Sequence, residues 1–430
     1  MFRLFRSAQI ASEDSPKLEE ADILVGDDGK IAGVGSGLAA PEGADVETVE
    51  CDGKVVLPGL FDVHVHLREP GRPDKETIQS GSEAAINGGV TGIVAMPNVN
   101  PAPDNGGAVR SILDIAKKSS RIPVWTTGCI TRNREGSEMA GIAGMVKAGV
   151  VMITDDGDPV EDPSLLRAAM DYAREFNLPV ASHCEVKALS RDGAMNEGKV
   201  SYALGVPGIP AISEEICLDR DIRIGQYTGC HIHIQHVTSA RGMETIRRYK
   251  EEGVKVTCEL APHHLLFNEE DIGNYDTHYK MNPPLRTAED NELLLQGLID
   301  GVFDVIATDH APHTEFEKQQ LDFVNAPFGI TGLETALPSL YHHYVKTGKF
   351  GWDLIVKRYS AEPRRLLKME PVRIVEGETA EFVVFDPNRQ SVFTRDFMRS
   401  KSGNTPFMDK SLDGLVETVV LGDSLLLSRD

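Results

Sequence analysis

Residues 57–70 read L-P-G-L-F-D-V-H-V-H-L-R-E-P. Within this run Phe61, Val63, Val65 and Leu67 alternate with Asp62, His64, His66 and Arg68. That is the period of a β-strand, so His64, His66 and Arg68 are expected on one side of it. Two imidazoles at i and i+2 can grip a single metal ion, and neutral imidazole is a preferred zinc ligand. Taken alone, a His-x-His pair more often marks two hydrogen-bonded histidines at a polar strand end. Here Glu69, Pro70 and Gly71 follow at once, so the strand stops where its charged groups begin. Charged groups at the C-terminal end of a strand suggest the mouth of an α/β barrel.

The surrounding chain alternates in the same sense. Candidate strands fall at 60–66, 90–96, 123–129, 150–155, 179–184, 231–237, 254–260 and 304–308, and helix-like stretches such as Thr77–Asn87, Val109–Lys118, Ser164–Phe176, Gly242–Glu252 and Asn291–Asp300 separate them. Eight βα units predict a closed parallel (β/α)8 TIM barrel over residues 57–374. An open doubly wound sheet would need a glycine-rich phosphate turn after an early strand, and the sequence has none. Residues 1–56 hold strand-like runs at Ala21–Val25 and Lys30–Gly35 around the turn Asp27-Asp28-Gly29. Similar texture returns at Ala380–Phe385 and Gly414–Leu427, so residues 1–56 and 375–430 are expected to pair into one small β-sandwich-like domain.

A chain of 430 residues suits a barrel with an accessory domain, and 41% hydrophobic residues are ample for a large core. The balance of 44 basic against 66 acidic residues gives −22, which argues against nucleic acid or an anionic membrane as partner. Met1–Ile10 holds two arginines and no long apolar run, unlike a signal peptide. Six scattered cysteines without a C-x-x-C pair read as reduced thiols of a cytoplasmic protein.

The strand ends carry the chemistry. The second is followed by Met96-Pro97-Asn98, the fourth by Thr154-Asp155-Asp156-Gly157, the fifth ends at His183, the sixth at His236, and the eighth ends Thr308-Asp309-His310-Ala311-Pro312-His313. His64, His66, one aspartate of strand four, His183, His236 and Asp309 suffice for a two-metal site with a bridging carboxylate.

With these motifs the sequence resembles the amidohydrolase superfamily, and within it the class I dihydroorotases, over nearly the whole chain. The specific elements are Asp62–Gly71, Met96-Pro97-Asn98, Thr154–Gly157, Met281–Arg286, Thr308–His313 and the run Pro327–Pro338. The resemblance implies zinc-dependent, reversible hydrolysis of (S)-dihydroorotate to N-carbamoyl-L-aspartate in de novo pyrimidine (UMP) biosynthesis, with one or two zinc ions per subunit and two expected. It places His64 and His66 on the more buried zinc, His183 and His236 on the second, and Asp309 beside the first as catalytic carboxylate. Asp156, by its distance in sequence to His183, is implied as the bridge ahead of Asp155. Arg68, Asn98 and His313 would hold the substrate carboxylate and Asn282 the ring, with backbone groups of Pro327, Phe328 and Gly329 closing over it. A homo-oligomer is expected, with aspartate carbamoyltransferase the candidate macromolecular partner.

Sister cyclic-amide hydrolases such as allantoinases and hydantoinases typically bridge their metals with a carboxylated lysine, and Val151–Asp156 offers none, Lys147 lying in the preceding helix-like segment. A non-catalytic scaffold of the same fold would lack metal ligands, and all are present. His263 and His264 are expected behind the site, His342 and His343 at the surface or in packing, and Cys184 pointing outward to the helix layer. Asp353–Arg365 reads as a solvated helix face.

Overall fold

The computed structural model describes residues 1–429. The chain opens with strands β1 (Phe2–Ser12), β2 (Ser15–Val25), β3 (Ile31–Gly35), β4 (Val46–Glu50) and β5 (Val55–Pro58). After them β6 (Leu60–Val65), β7 (Val90–Ala95) and β8 (Val124–Thr126) pair in parallel. β9 (Val180–Ser182) follows, and β10 (Met195–Asn196) and β11 (Gly208–Ile209) form a small pair of their own. β12 (Ile232–Ile234), β13 (Val256–Leu260) and β14 (Val305–Ile306) extend β9 into a second parallel sheet. Isolated parallel bridges Gly128–Ile153 and Ile153–Val180 connect β8 to β9, and Val65–His310 connects β6 to the residues after β14. The parallel pairings therefore return to the strand where they began.

The fourth candidate strand is reduced to the two bridges through Ile153. Where 150–155 was expected as a strand, the ladder is five bonds long: Val151 N to Thr126 O at 3.3 Å, Gly128 N to Met152 O at 3.0 Å, Thr154 N to Gly128 O at 2.9 Å, Ile153 N to Pro179 O at 3.1 Å and Ala181 N to Ile153 O at 2.8 Å. Beyond it the Asp155 carboxylate accepts the Ile130 and Thr131 amides, at 2.8 and 3.1 Å, so a side chain replaces the ladder. Every residue of β6 and β7 is buried, as expected of parallel strands covered on both faces. Phe61, Val63, Val94, Met96, Met152, Ala181, Val305 and Ala307 share one buried cluster.

The connecting helices start where the sequence supplies caps. Thr77 and Ser80 form a capping box for Ile78–Asn87, Asn105 caps Gly106–Ser119, Asp162 caps Pro163–Glu175 and Thr287 caps Ala288–Ile299. Each such cap is worth about 1 kcal/mol. The longest helix, Ala211–Thr228, escapes the sequence reading because its buried residues, among them Glu214, Cys217, Asp221 and Gly225, do not form one apolar stripe.

A correction concerns residues 353–365. Tyr359 and Arg364 are buried rather than solvated. Arg364 donates to Gly59 O at 2.9 Å and its guanidinium lies 4.9 Å from the Phe61 ring, against the start of β6.

The chain ends in β15 (Glu381–Val392), β16 (Ser411–Leu421) and β17 (Ser424–Ser428). These join the first five strands in one eight-stranded sheet of order β17-β16-β15-β5-β1-β2-β3, with β4 on β1. A sandwich would divide the strands between two sheets; here they are hydrogen-bonded into one, over a shared core of Phe5, Ile23, Val56, Phe382, Val384 and Val420. Among the described residues no helix is long and apolar enough to cross a membrane.

Candidate active site

Asp156 stands at the centre of the histidines that the strand ends deliver. Its Oδ1 lies 3.4 Å from His64 Nε2, 3.6 Å from His236 Nε2 and 3.8 Å from His183 Nδ1, and its Oδ2 lies 3.4 Å from His66 Nε2. Asp309 Oδ1 lies 2.9 Å from His66 Nε2 and 3.4 Å from His64 Nε2. All six side chains are buried. Asp155 turns away to hold the Ile130–Thr131 backbone.

Whether a metal suits this cluster can be asked of its own atoms. His64 Nε2, Asp156 Oδ1 and His236 Nδ1 are buried without a hydrogen-bond partner, a state that costs about 1–3 kcal/mol per group. His183 Nδ1 and His236 Nε2 face each other at 2.9 Å, where at most one proton can lie between two lone pairs. Burial disfavours a charged His64, yet Glu259, Asp156 and Asp309 together raise its pKa well above the ordinary value. The cluster thus calls for positive charge at this point. A set of imidazoles and carboxylates without thiolates fits zinc. Ligand atoms of His64, Asp156 and His236, and of His64, His66 and Asp309, lie within 4.8 Å of one another in each group.

The cluster forms the floor of a cleft of about 410 Å³. His66, Arg68, Asn98, Asp156, His183, His236, Asn282, Asp309, His313, Pro327, Phe328 and Gly329 all line it, and only His64 lies deeper. Arg68 reaches it by a different route from the one strand alternation suggests. β6 ends at Val65, and Arg68 adopts φ +56°, a left-handed conformation that costs a long side chain energy. His236 at +30° and Asp309 at +47° share this feature, which concentrates backbone strain at the cleft. Gly329 has φ +144°, and a Cβ there would sit 2.6 Å from Ala311 O, so the wall can close only over a glycine.

Arg68 has no carboxylate partner among the described residues; its Nε donates to Pro312 O at 3.3 Å and its Nη2 faces His313 Nε2 at 3.5 Å. Burial, with Arg68, Lys75 and Lys318 nearby, drives the His313 pKa far down, so this ring is neutral. Asn98 lines the cleft as well. Its Oδ1 accepts the His66 Nδ1 proton at 2.7 Å, which leaves only its amide hydrogens for a ligand.

Two carboxylates and two cations of the site escape the sequence reading. Glu259 Oε1 takes His64 Nδ1 at 2.5 Å, and its other oxygen takes His233 Nε2 at 3.1 Å. Glu185 accepts from His183 Nε2 at 3.3 Å, Asn282 Nδ2 at 3.2 Å and Lys187 Nζ at 2.7 Å. Lys187 and Arg191 line the outer cleft. Glu259 carried a signal: it is an acid inside the apolar run Val256–Leu260. Carboxylates behind metal-ligating imidazoles fix their tautomer and orientation. Glu259→Gln is therefore expected to weaken metal affinity by about 10- to 100-fold, measured by competition with a chelator, with activity recovering in excess metal. Behind the site, His264 Nε2 donates to Pro283 O at 3.0 Å, and Cys184 packs towards Cys217 and Asp221 of the helix Ala211–Thr228.

The family description "Dihydro-orotase-like" matches residues 53–242. A protein of Desulforapulum autotrophicum named dihydroorotase is 42% identical over 96% of this chain and 96% of its own. One of Bacillus cereus with the same name is 40% identical over 99% and 98%, and one of Carboxydothermus hydrogenoformans is 40% identical over 96% and 95%. The chain belongs to the dihydroorotase family. Among solved structures, an L-hydantoinase (dihydropyrimidinase) from Arthrobacter aurescens superposes with a TM-score of 0.87 over 100% of this chain and 96% of its own, at 23% identity. A dihydropyrimidinase from Brevibacillus agri does so with 0.84 at 21% identity, over 100% and 95%. At such identity these two speak for the fold alone, whereas the dihydroorotases match in sequence over nearly the whole chain.

Proposed function

We propose that the protein is a zinc-dependent dihydroorotase, hydrolysing (S)-dihydroorotate reversibly to N-carbamoyl-L-aspartate in de novo pyrimidine (UMP) biosynthesis. The observation that carries this reading is the pairing of an unpartnered Arg68 with the histidine–aspartate cluster across one cleft. A guanidinium can pair with a planar carboxylate through two charge-assisted hydrogen bonds, and the cluster lines the same cleft.

His64, His66 and Asp309 would hold one zinc, His183 and His236 the other, with Asp156 between them. Bound there, zinc supplies Lewis acidity, polarising a carbonyl and bringing the pKa of water from 15.7 to about 7. Arg68, the Asn98 amide and neutral His313 orient the ring carboxylate, while Asn282 and the Pro327–Gly329 wall hold the ring. Water's oxygen bonds to the ring carbonyl carbon and the ring C–N bond breaks. Asp309 takes the proton from the attacking water and delivers it to the leaving nitrogen, then runs the reverse steps in ring closure. The corresponding fold reading is a (β/α)8 barrel over residues 57–374, supported by the returning parallel pairings, with residues 1–56 and 375–430 as a composite β domain. The same reading takes the protein as a cytoplasmic homo-oligomer, its six cysteines all being free thiols, with aspartate carbamoyltransferase as candidate partner; co-elution of purified components tests the last point.

A hydantoinase reading rests on fold likeness alone, and the only lysine lining the cleft, Lys187, is engaged by Glu185. Turnover of dihydroorotate beside hydantoin, allantoin and a neutral dihydropyrimidine, with bound metal counted, decides between the readings. Turnover of the uncharged rings without dihydroorotate would overturn ours. Arg68→Met is expected to cost about 10- to 150-fold in kcat/KM on dihydroorotate, the worth of a hydrogen-bonded charge. Hydrolysis of the neutral dihydropyrimidine should change little; equal losses would give Arg68 a merely structural role.

A further inference from the structure

Two buried lysines lie under the wall of the cleft. Lys280 Nζ donates to Val324 O at 2.8 Å and Ala326 O at 2.6 Å, with the Phe328 ring centroid 4.5 Å away. Lys318 Nζ donates to Lys280 O at 3.1 Å and to Pro327 O at 2.9 Å, and the Gly329 amide donates to Lys280 O at 2.9 Å. The residues are 3% and 2% exposed. Neither forms an ion pair among the described residues; Asp322 is the acid nearest in effect to Lys280, and Asp276 and Glu317 act on Lys318 against Lys280 and Lys75. Burial pushes the two amines down to about 8 and about 7. Burying a cation without a carboxylate is costly, so such groups persist where their hydrogen bonds achieve something an apolar residue cannot.

What they tie together is specific. Residues 322–329 contain no helix or strand, so their carbonyls have no ladder to satisfy them. Lys280 stands two residues before Asn282, whose amide reaches into the cleft. The lysines therefore join three pieces of chain: the 318 helix end, the segment leading to Asn282 and the Pro327–Gly329 wall. We propose that Lys280 and Lys318 are positioning residues that hold the wall and the Asn282 amide as one rigid unit at substrate distance. This rests on reading the cleft as the dihydroorotate site. The metal-ligating side chains and Asp309 belong to other elements, so loosening the unit should weaken binding and spare the chemical step.

The test uses Lys280→Met and Lys318→Met, which keep the side chain up to its fourth atom and remove the donors. Metal content, kcat, KM for dihydroorotate and the rate of chymotryptic cleavage between Leu321 and Phe328 are measured on each. The expected result is KM raised about tenfold or more, kcat changed less than about threefold, cleavage accelerated about tenfold, and metal unchanged. Should a methionine variant not fold, Lys280→Gln and Lys318→Gln, which shorten the side chain and remove its charge, are read in the same way. Wild-type KM in these variants, with or without faster cleavage, overturns the proposal, as does a loss confined to kcat. A wild-type protein that cleaves no dihydroorotate overturns the functional reading instead, and the two failures are separate observations.

Discussion

Asp309→Asn is expected to lower dihydroorotate turnover by about 100- to 10,000-fold in both directions while bound metal stays constant, the span that a general acid–base group contributes. Burial acts to raise the Asp309 pKa, but the charge on His64 and the His66 ring against it outweigh this and hold the carboxyl below its usual range. The group is thus ionised at neutral pH and able to accept a proton. Its left-handed φ of +47° aims the carboxylate at the floor of the cleft, 2.9 Å from His66 Nε2 and 3.4 Å from His64 Nε2. Asparagine has the same shape and keeps one oxygen for the metal side, so His64, His66 and Asp156 should retain the ion. Steady-state rates for hydrolysis and for ring closure, beside metal analysis of the same preparation, check both halves. Near-normal turnover would refute the proton-transfer role.

Much of this geometry was legible because parallel strands deliver chemistry at one end. Each histidine or aspartate just past an apolar run marks a rim position, and His64, His66, His183, His236 and Asp309 converge for that reason. Alternation was less reliable once a strand had ended. Arg68 lines the cleft through a left-handed backbone, which period-two counting does not encode. Glu259 and Glu185 act through imidazoles distant in sequence or two residues away, so only tertiary structure shows what they hold. The fourth strand was overdrawn because Val150–Ile153 is apolar enough for a full strand, while the Asp155 carboxylate takes over the ladder's donors from Ile130 onwards. Both termini read as strands, but β5 lying between β1 and β15 depends on contacts across more than three hundred residues that no local pattern carries.

Asp156→Ala is expected to strip the protein of metal and with it essentially all turnover, whereas Asp155→Ala should keep most of its metal. The two aspartates are neighbours in sequence, and their surroundings separate them. Burial acts to raise the pKa of Asp156, but the charge of His64 and the close rings of His236 and His66 outweigh this and hold it well below the ordinary value. Among the described residues it is the only carboxylate within 4 Å of ring nitrogens from all four histidines, the arrangement a bridging carboxylate needs. Arg134 Nη2 donates to Asp156 O at 2.8 Å and the Asp156 amide donates to Thr154 Oγ1 at 3.1 Å, so its backbone is held on both sides. Asp155 spends its oxygens on the Ile130 and Thr131 amides and the Thr131 hydroxyl, and Asp155→Ala should therefore cost stability, about 1–3 kcal/mol for the buried donors left unpaired. With Asp156 proposed as a plain carboxylate bridge, apoprotein is expected to regain activity with zinc alone and to show no dependence on added bicarbonate, which a lysine carbamate would require. Metal counts on both variants and a reconstitution series with and without bicarbonate separate the cases. A bicarbonate requirement, or metal loss in Asp155→Ala with retention in Asp156→Ala, would place the bridge on another residue.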